Sequence, residues 1–363
     1  MENHYSSSTL KIDLQAIVDN YNILNIKTSY TKVAAVVKAN AYGLGLQEVA
    51  PVLRNAGCND FFVANLDEAI GLRKILPKKC KIAVFNGVLK GEEEVFIRND
   101  IQPVLNTIEQ IKLWSELTKK TKEKHPCMVH VDSGMNRLGI TLKELESLIH
   151  DKLIKKINIK MILSHLACAD NPSNNKNSQQ LSIVNKVRDL LPKIPTSFAN
   201  SYGIFLDKKY HFEMVRPGIA LYGGNPNPDK QNPMKPVVYI SSNILQVRDI
   251  DSPQTVGYGA THKLNKGSKL ATLPVGYADG YFRNLGNIAN CAIKGIKVPV
   301  VGRVSMDLIT IDITSIKDSV NVGDEVEILG NTIKLEDIAA QAQTIDYEIL
   351  TSLGSRYKRI YTK

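Results

Sequence analysis

The sequence lacks the features of secreted, zinc-binding and membrane-spanning proteins. Its five cysteines are odd in number, far apart and without a C-x-x-C pair, which argues against a disulfide framework or zinc knuckle and indicates a reducing compartment. The first residues, MENHYSSSTLKIDL, show no basic segment followed by an apolar run, so we expect no signal peptide. No apolar stretch is long enough to span a bilayer. We therefore predict a cytoplasmic protein with no metal site and no membrane partner.

Aromatic residues are scarce as well, at 6% of the chain, although the net charge is +10. A basic chain that binds nucleic acid usually concentrates its charge on one face. Here the lysines are scattered, and the denser runs fall where helix ends or loops are expected, so we interpret them as solvated surface. A nucleic-acid-binding role rests on the net charge alone and requires strongly salt-dependent binding to DNA or RNA. We expect no nucleic-acid partner.

What the chain does have is a regular alternation of short apolar runs with helix-like stretches. Eight such runs are strand candidates, at residues 33–37, 61–64, 81–85, 101–105, 127–131, 159–163, 196–199 and 214–221. Eight strand–helix units predict an α/β fold, a (β/α)8 TIM-type barrel. A doubly wound open sheet is the alternative, but no G-x-G-x-x-G turn supports it.

The character of the chain changes after a segment rich in Gly, Pro and Asn that follows Tyr222. Short strand-like runs broken by turn residues then predominate, and only Leu335 to Gln343 has helical character. We therefore predict an N-terminal barrel domain over residues 1–235 and a mainly-β C-terminal domain over residues 236–363. Residues 9–14 form a short predicted strand, and whether it joins the second domain is left open.

One stretch, VVKANAYG at residues 36–43, places Lys38 at the end of the first predicted barrel strand. Burial lowers the pKa of a lysine, which makes the amine a better nucleophile and a suitable partner for a carbonyl cofactor. Alternatively, the ammonium extends past the strand end into solvent. In a barrel, the residues that follow the strands face the active site. These positions hold polar side chains: Lys38, Asn65, Asn86, Asn106, Asp132 to Arg137, His165 and Asn200 to Ser201.

Together with seven further motifs, this stretch identifies a family. The motifs are HVDSGMNRLG (130–139), SHLACAD (164–170), FANS (198–201), VRPGIALYG (215–223), VGYGATH (256–262), LPVGYADG (273–280) and GRVSMD (302–307). The chain resembles the alanine racemases over nearly its full length. The resemblance implies pyridoxal 5′-phosphate as cofactor, interconversion of L- and D-alanine, and supply of D-alanine for peptidoglycan. It also implies a homodimer whose active sites are shared between subunits.

The resemblance assigns the catalytic roles to two residues. Lys38 matches the lysine that binds the cofactor and acts as one base, and Tyr258 matches the second base on the opposite face of the substrate. Racemisation needs this arrangement because a proton leaves one face and returns to the other. An unassisted tyrosine titrates too high to act as a base at neutral pH. His165 and Arg216 match the hydrogen-bonded chain that assists it. Taken singly, each residue fits a structural role better than a catalytic one, Tyr258 as a turn aromatic packed between glycines and His165 as a satisfied core histidine.

The resemblance also assigns cofactor contacts. Arg216 matches the residue that faces the pyridine nitrogen, where most enzymes of this chemistry place a carboxylate; an arginine cannot accept that proton and so weakens the electron sink. The phosphate contacts match Tyr42, Asn200, Ser201, Gly218 and Ile219. The last four of these residues follow the seventh strand or lie in the predicted eighth run, and barrels often bind phosphate with the loops there.

Substrate contacts follow from the same motifs. Arg137 matches the arginine that contacts the cofactor hydroxyl and the substrate carboxylate, and the backbone amide of Met306 matches a second carboxylate contact. Residues of the substrate entryway match Tyr277, Arg283 and Arg303. In the family, the tyrosine base and this methionine reach the active site from the partner subunit, so we expect Tyr258 and Met306 to serve the partner's site.

Three positions depart from the family pattern. His130 stands where many members carry a carbamylated lysine that braces the arginine at position 137. Ser355 stands where some members place a tyrosine on the phosphate, and Leu44 replaces a common histidine. The support of Arg137 and the phosphate contact are therefore the points at which this chain is expected to differ.

Other functions remain open on the sequence alone. A related barrel enzyme that uses pyridoxal phosphate, such as a racemase of broader specificity, is one alternative. A related amino-acid decarboxylase normally has a cysteine in the role of Tyr258, which argues against that class. A cofactor-homeostasis protein shares the barrel and the lysine, but such proteins lack a C-terminal β domain like the one predicted over residues 236–363.

Overall fold

We analysed a computed structural model, which describes residues 6–29, 31–227 and 230–363. The strands, in chain order, are β1 (Ser8–Asp13), β2 (Lys32–Val33), β3 (Ala35–Val36), β4 (Asp60–Val63), β5 (Lys81–Val84), β6 (Ile101–Leu105), β7 (Pro126–His130), β8 (Asn158–Leu163), β9 (Thr196–Ser197), β10 (Met214–Val215), β11 (Val238–Asn243), β12 (Gln246–Asp249), β13 (Gln254–Val256), β14 (His262–Leu264), β15 (Lys269–Leu273), β16 (Asn290–Ile293), β17 (Ile296–Val301), β18 (Ile309–Asp312), β19 (Glu325–Leu329) and β20 (Lys358–Thr362).

The helices alternate with the first ten strands and are rare afterwards. They are α1 (Leu14–Thr28), α2 (Lys38–Tyr42), α3 (Leu46–Asn55), α4 (Leu66–Ile75), α5 (Glu93–Arg98), α6 (Ile108–Thr121), α7 (Leu142–His150), α8 (Lys176–Leu190), α9 (Ser201–Leu206), α10 (Leu335–Gln341) and α11 (Asp346–Thr351). None of the helices among the described residues has the length and apolarity that a bilayer crossing requires.

Strands β2 to β10 form the predicted parallel barrel. Their order in the sheet is β2-β10-β9-β8-β7-β6-β5-β4-β3, so the two ends of the sheet are the two halves of one extended segment. Val33 pairs with Val215 on one side, and Ala35 pairs with Phe61 on the other. The amide of Ala34, between the two halves, donates to the carbonyl of Val215 at 3.0 Å. The barrel therefore closes through residues 32–36, which confirms the predicted fold class.

Two predicted strands are shorter than expected. The eighth run was predicted over residues 214–221, but the strand ends at Val215, and Ile219–Tyr222 forms a 3₁₀ helix. Pro217 has no N–H to continue the ladder, and Gly218 carries no side chain to pack, which explains the early end. The seventh run ends at Ser197 rather than at residue 199. Both shorter strands leave longer loops at the carboxyl end of the barrel.

The remaining strands form a separate mainly-β unit, as predicted. It consists of the described residues up to Ala16, Tyr222–Gly224 and Lys235–Lys363, whereas the barrel unit consists of Ile17–Leu221 and Asn225–Met234. Strand β1 lies in the β unit, antiparallel to β11 and parallel to β20. A hairpin of β13 and β14 stands apart from the nine-stranded sheet of this unit. Helix α11 was missed because its apolar residues are too few to show a helical period.

Candidate active site

The segment that follows β3 has an unusual backbone. Four consecutive residues, Ala39 to Tyr42, have φ between 53° and 56°, so α2 is a left-handed turn. For L-residues other than glycine this conformation costs roughly 1–2 kcal/mol each. The turn is closed by hydrogen bonds from the amide of Ala41 to the carbonyl of Val37 at 3.0 Å and from the amide of Gly43 to the carbonyl of Ala39 at 2.8 Å. Such strain persists where surrounding contacts enforce it and is concentrated at functional sites.

Lys38, directly before the turn, lines a cavity at the carboxyl end of the barrel. The cavity has a volume of about 280 Å³. Four of the side chains that line it were assigned to the site from the sequence, namely Lys38, Arg137, His165 and Arg216. His130, which departs from the family pattern, lines it as well. These residues come from four different strand ends or loops, which is how a barrel assembles a site from distant segments.

The environment of Lys38 favours a neutral amine. Burial and, to a smaller extent, the charge of Arg137 lower the pKa of the Lys38 ammonium, while the carboxylate of Glu68 opposes this change. A larger fraction of the amine is then unprotonated at neutral pH, and only that form attacks a carbonyl carbon. The side chain is half-buried rather than extended into solvent. The arrangement therefore suits a lysine nucleophile.

Arg216 is buried at 4% exposure, and its polar contacts are to neutral groups. Its Nη1 donates to Ser197 Oγ at 2.5 Å, and its Nη2 donates to the carbonyl of Ser164 at 2.6 Å. Nη2 also lies 3.4 Å from Nδ1 of His165. Burial lowers the pKa of Arg216 to about 9. Burial, with the nearby charge of Arg216 as the second cause, holds the pKa of His165 well below its usual value, so this imidazole is neutral.

The proposed phosphate contacts also lie together. Ser201 Oγ accepts hydrogen bonds from the amides of Gly218 and Ala220, at 3.0 and 3.2 Å, which joins the loop after β9 to the loop after β10. Asn200 caps α9 by accepting from the amide of Gly203. A Cβ at Gly218 would overlap the hydroxyl of Tyr42, so only glycine allows the tyrosine this position. The predicted residues therefore lie together in a cradle, which consists of the Ser201 hydroxyl, the two amides bonded to it and the buried phenol of Tyr42. Ile219 begins the 3₁₀ helix beside it.

His130 contributes a fixed hydrogen-bond pattern to the cavity. Asn106 donates both amide hydrogens to backbone carbonyls, those of Phe85 and Val104, so its Oδ1 faces His130 Nδ1 at 2.9 Å. That oxygen can only accept, and Nδ1 of His130 must therefore carry the proton. Burial lowers the pKa of His130 to about 4. At neutral pH, Nε2 is thus an acceptor. The sequence placed Asn106 and His130 at strand ends but gave no sign that they are bonded.

The β unit presents the other predicted residues at its surface. Tyr258 begins a 3₁₀ helix that ends at Ala260, and its side chain is 71% exposed. Met306 is 53% exposed. The loops of Tyr277 and Met306 are hydrogen-bonded to each other, because the amide of Tyr277 donates to the carbonyl of Ser305 and that of Ala278 donates to the carbonyl of Met306. Both side chains are therefore accessible from solvent on the β unit.

Arg303 and Arg283, predicted at the entryway, also lie in the β unit. The guanidinium of Arg303 lies against Gly259, where a Cβ would come within 3.1 Å of Nη1. Arg283 begins a 3₁₀ helix that ends at Leu285. Of the other departures, Ser355 is exposed, and Leu44 is fully buried. Leu44 therefore serves the packing of the barrel.

Two groups that matter for the site were missed from the sequence. Glu68 bonds the amide of Ala39, next to Lys38, across 29 positions of sequence. Arg356 bonds the buried carboxylate of Asp279 through Nε and Nη2, both at 2.7 Å, and Asp307 through Nη1 at 2.6 Å. Glu68 had a local signal, the N-x-x-E pattern of a helix N-terminus. Neither long-range contact has a signature in a single sequence.

A closed barrel with a lysine of lowered pKa at the end of its first strand, beside a buried arginine and a neutral histidine, defines an enzyme built around an activated amine. The comparisons with known proteins specify the family. Residues 12–226 match the model described as "Alanine racemase, N-terminal domain", and residues 237–361 match "Alanine racemase, C-terminal domain". The chain belongs to the alanine racemase family.

Individual relatives agree over the full length. The alanine racemase of Brucella abortus is 43% identical, with 97% of this chain and 93% of the relative covered. That of Rhodospirillum rubrum is also 43% identical, with 98% and 96% covered. Among solved structures, the alanine racemase of Bartonella henselae with covalently bound pyridoxal phosphate superimposes with a TM-score of 0.94 at 44% identity, covering 98% of this chain and 99% of that one.

Proposed function

We propose that this chain is a pyridoxal-phosphate-dependent alanine racemase that interconverts L- and D-alanine with two bases, Lys38 and Tyr258. The observation that carries the proposal is Lys38 itself, held by a strained turn in a cavity that lowers its pKa. For the domains we keep the division predicted near residue 235, with the barrel before it and the β domain over residues 236–363, and we assign β1 to the β domain because it pairs with β11 and β20. D-alanine made in the cytoplasm would supply peptidoglycan synthesis.

The residues present suit pyridoxal phosphate. The amine of Lys38 would hold the aldehyde carbon, and the cradle formed by Tyr42, Ser201 and Gly218 would hold the phosphate. Arg216 would face the ring nitrogen, and its buried guanidinium offers only donors. When bound, the cofactor supplies an electron sink that acidifies the α-hydrogen of an amino acid. The weaker sink left by an arginine favours return of the proton over side reactions such as transamination.

The protein groups then account for the exchange of the proton. Lys38 would take the α-proton from one face or return it there, and Tyr258 would do the same on the other face. Arg137 would pair with the substrate carboxylate, and the amide of Met306 would donate a second hydrogen bond to it. Because Tyr258 and Met306 are exposed on the β unit, we propose that they complete the site of a partner subunit in a homodimer.

The test combines absorbance with optical rotation. The purified chain with pyridoxal phosphate should show the visible absorbance band of the lysine-bound cofactor. After L-alanine is added, the optical rotation of the solution should decay to zero. Lys38→Ala should abolish both signals. Lys81→Ala is the matched control, because Lys81 begins the barrel strand β5 and is exposed. A band without loss of rotation would indicate a cofactor carrier or another substrate. Absence of the band would refute the proposal.

A further inference from the structure

Glu68 occupies a position that usually has a purely local role. It is the third residue of α4, and its amide donates to Oδ1 of the capping residue Asn65 at 3.0 Å. In a capping box the glutamate at this position bonds back to the amide of the capping residue. Glu144 of α7 does this, because its carboxylate accepts from the amide of Thr141 at 2.7 Å. Glu68 and Glu144 are therefore a matched pair by position.

The carboxylate of Glu68 makes different bonds. Its Oε1 accepts from the amide of Ala39 at 2.6 Å, and its Oε2 accepts from the amide of Ala64 at 2.8 Å. Both oxygens are thus bonded to backbone outside α4. The first of these bonds crosses from α4 to the residue directly after Lys38. Hydrogen bonds to a charged acceptor are shorter and stronger than neutral ones.

The bond falls on the first residue of the left-handed turn. Ala39 has φ 53° and ψ 49°, and the strain of the turn must be offset by contacts around it. Asn40 provides a second tie, since its Oδ1 accepts from the amide of Leu46 at 2.8 Å. The hydrogen bond from Ala39 to Glu68 is the one that lies next to Lys38. Releasing Ala39 would let the backbone relax, and the direction in which the lysine leaves the strand would change.

The same carboxylate also acts on the charge of Lys38. The charged or titratable groups that influence this amine are Glu68, Arg137 and the neutral His165. Burial and Arg137 lower the pKa of Lys38, and Glu68 raises it. Glu68 is the acidic residue among these groups, so its removal would lower the pKa of Lys38 further.

We propose that Glu68 is a positioning residue for Lys38, which it holds by fixing the amide of Ala39 at the start of the left-handed turn. The inference rests on the proposed role of Lys38 as the cofactor lysine. The hydrogen bond itself, however, can be examined without cofactor, so the two claims are separable.

The experiment compares Glu68→Gln and Glu68→Ala with Glu144→Gln and Glu144→Ala in the full chain. Gln has the size of Glu but one acceptor oxygen, so it can keep only one of the two backbone bonds. Amide hydrogen exchange over residues 39–46 of the cofactor-free chain should accelerate by at least about tenfold in Glu68→Ala, which loses both bonds, by less in Glu68→Gln, and not in the Glu144 variants. Unchanged exchange in the Glu68 variants would overturn the proposal.

A second measurement links the bond to Lys38. The rate at which the visible band appears after addition of pyridoxal phosphate should fall in both Glu68 variants. In Glu68→Gln its pH dependence should move to lower pH, because the carboxylate that raises the pKa of Lys38 is gone. A residue that only capped α4 would behave like Glu144, with neither effect, and that result would also overturn the proposal. If the wild-type chain formed no band, the proposed function would fail, while the exchange data would still decide the role of Glu68 in the turn.

Discussion

The guanidinium of Arg216 donates toward Nδ1 of His165 across 3.4 Å, and this contact determines where the imidazole carries its proton. A guanidinium has no acceptor, so Nδ1 must be the unprotonated nitrogen, and Nε2 carries the hydrogen. Arg216 is itself held by Ser197 and by the carbonyl of Ser164. The pair therefore forms a rigid donor chain that ends at His165 Nε2. In the proposed mechanism this chain would assist Tyr258 as a base.

Replacing Arg216 with lysine should impair racemisation while the chain still folds. An ammonium lacks the planar set of donors needed to reach Ser197, Ser164 and His165 together. We expect kcat to fall by about 10–100-fold, consistent with the loss of one or two charged hydrogen bonds. The alkaline limb of the pH–rate profile should also move, because the partner of His165 has changed. Lys160→Ala, an exposed position on β8, is the control. A profile that keeps its shape would contradict the donor chain.

The stability of the chain should depend on pH through His130. The pKa of His130 falls from 6.5 in the unfolded chain to about 4 in the folded one. The unfolded state therefore binds a proton first as the pH drops, and stability that is complete above pH 6.5 is lost progressively toward pH 4. Each unit of difference corresponds to about 1.4 kcal/mol, so a difference of about 2.5 units limits the loss to about 3.5 kcal/mol.

Urea unfolding of the cofactor-free chain at a series of pH values measures this loss. His130→Gln should be less stable at pH 7 but should show a flatter profile between pH 6.5 and 4. His150→Gln is the matched control, since the side chain of His150 is 90% exposed at the end of α7. Equal slopes for the wild type and His130→Gln would show that His130 is not the group that titrates.

Much of this architecture could be predicted from the sequence because it is periodic. The eight strand candidates and their polar ends follow from short apolar runs, and the barrel then brings the ends of distant strands to one face. The left-handed turn could not be predicted, because Ala39, Ala41 and Tyr42 are not residues that favour positive φ. Their conformation is imposed by tertiary hydrogen bonds, as from Ala39 to Glu68. Contacts of this kind leave no pattern along the chain.

Gly218→Ala should weaken cofactor binding through a steric effect. The added Cβ would overlap the hydroxyl of Tyr42, so either the tyrosine or the loop must move. We expect the affinity for pyridoxal phosphate to fall by at least about tenfold, and Tyr42→Phe to recover part of the loss when combined with Gly218→Ala. Gly71→Ala in α4 is the control, because no atom lies near its Cβ position. Spectrophotometric titration gives the affinities, and additive effects of the two changes would contradict the overlap.

Arg356→Ala should loosen the two loops that carry Tyr277 and Met306. The guanidinium joins Asp279, which is 4% exposed, to Asp307. Asp279 also accepts from the amide of Gly276, so its position fixes the start of the Tyr277 loop. Leaving this carboxylate without its arginine should cost about 2 kcal/mol of stability, since Arg356 is half exposed and water replaces part of the bond.

The kinetic effect of Arg356→Ala separates positioning from stability. If Met306 donates to the substrate carboxylate, KM for alanine should rise more than kcat falls. Arg248→Ala, an exposed position on β12, should change neither constant. In Arg356→Lys, KM should lie between the values of the wild type and Arg356→Ala, because an ammonium can still pair with one of the two carboxylates. An unchanged KM in a folded Arg356→Ala variant would show that the bonds of Arg356 to Asp279 and Asp307 do not affect substrate binding.

Mixing two inactive variants tests whether active sites are shared between subunits. Tyr258→Phe should retain the visible band of the bound cofactor and lose racemisation, because the second base is missing while Lys38 is intact. Lys38→Ala should lack both. In a mixed dimer, one site combines the Lys38 of the first protomer with the Tyr258 of the second, and the other site lacks both residues. If equal amounts of the two variants exchange freely, half of the dimers are mixed, and each has one complete site of two. About a quarter of the wild-type activity should then return. Two samples of the same variant, mixed in the same way, are the control. If no activity returned although the subunits exchanged, Lys38 and Tyr258 would have to act within one chain. The exposed position of Tyr258 would then require a different explanation.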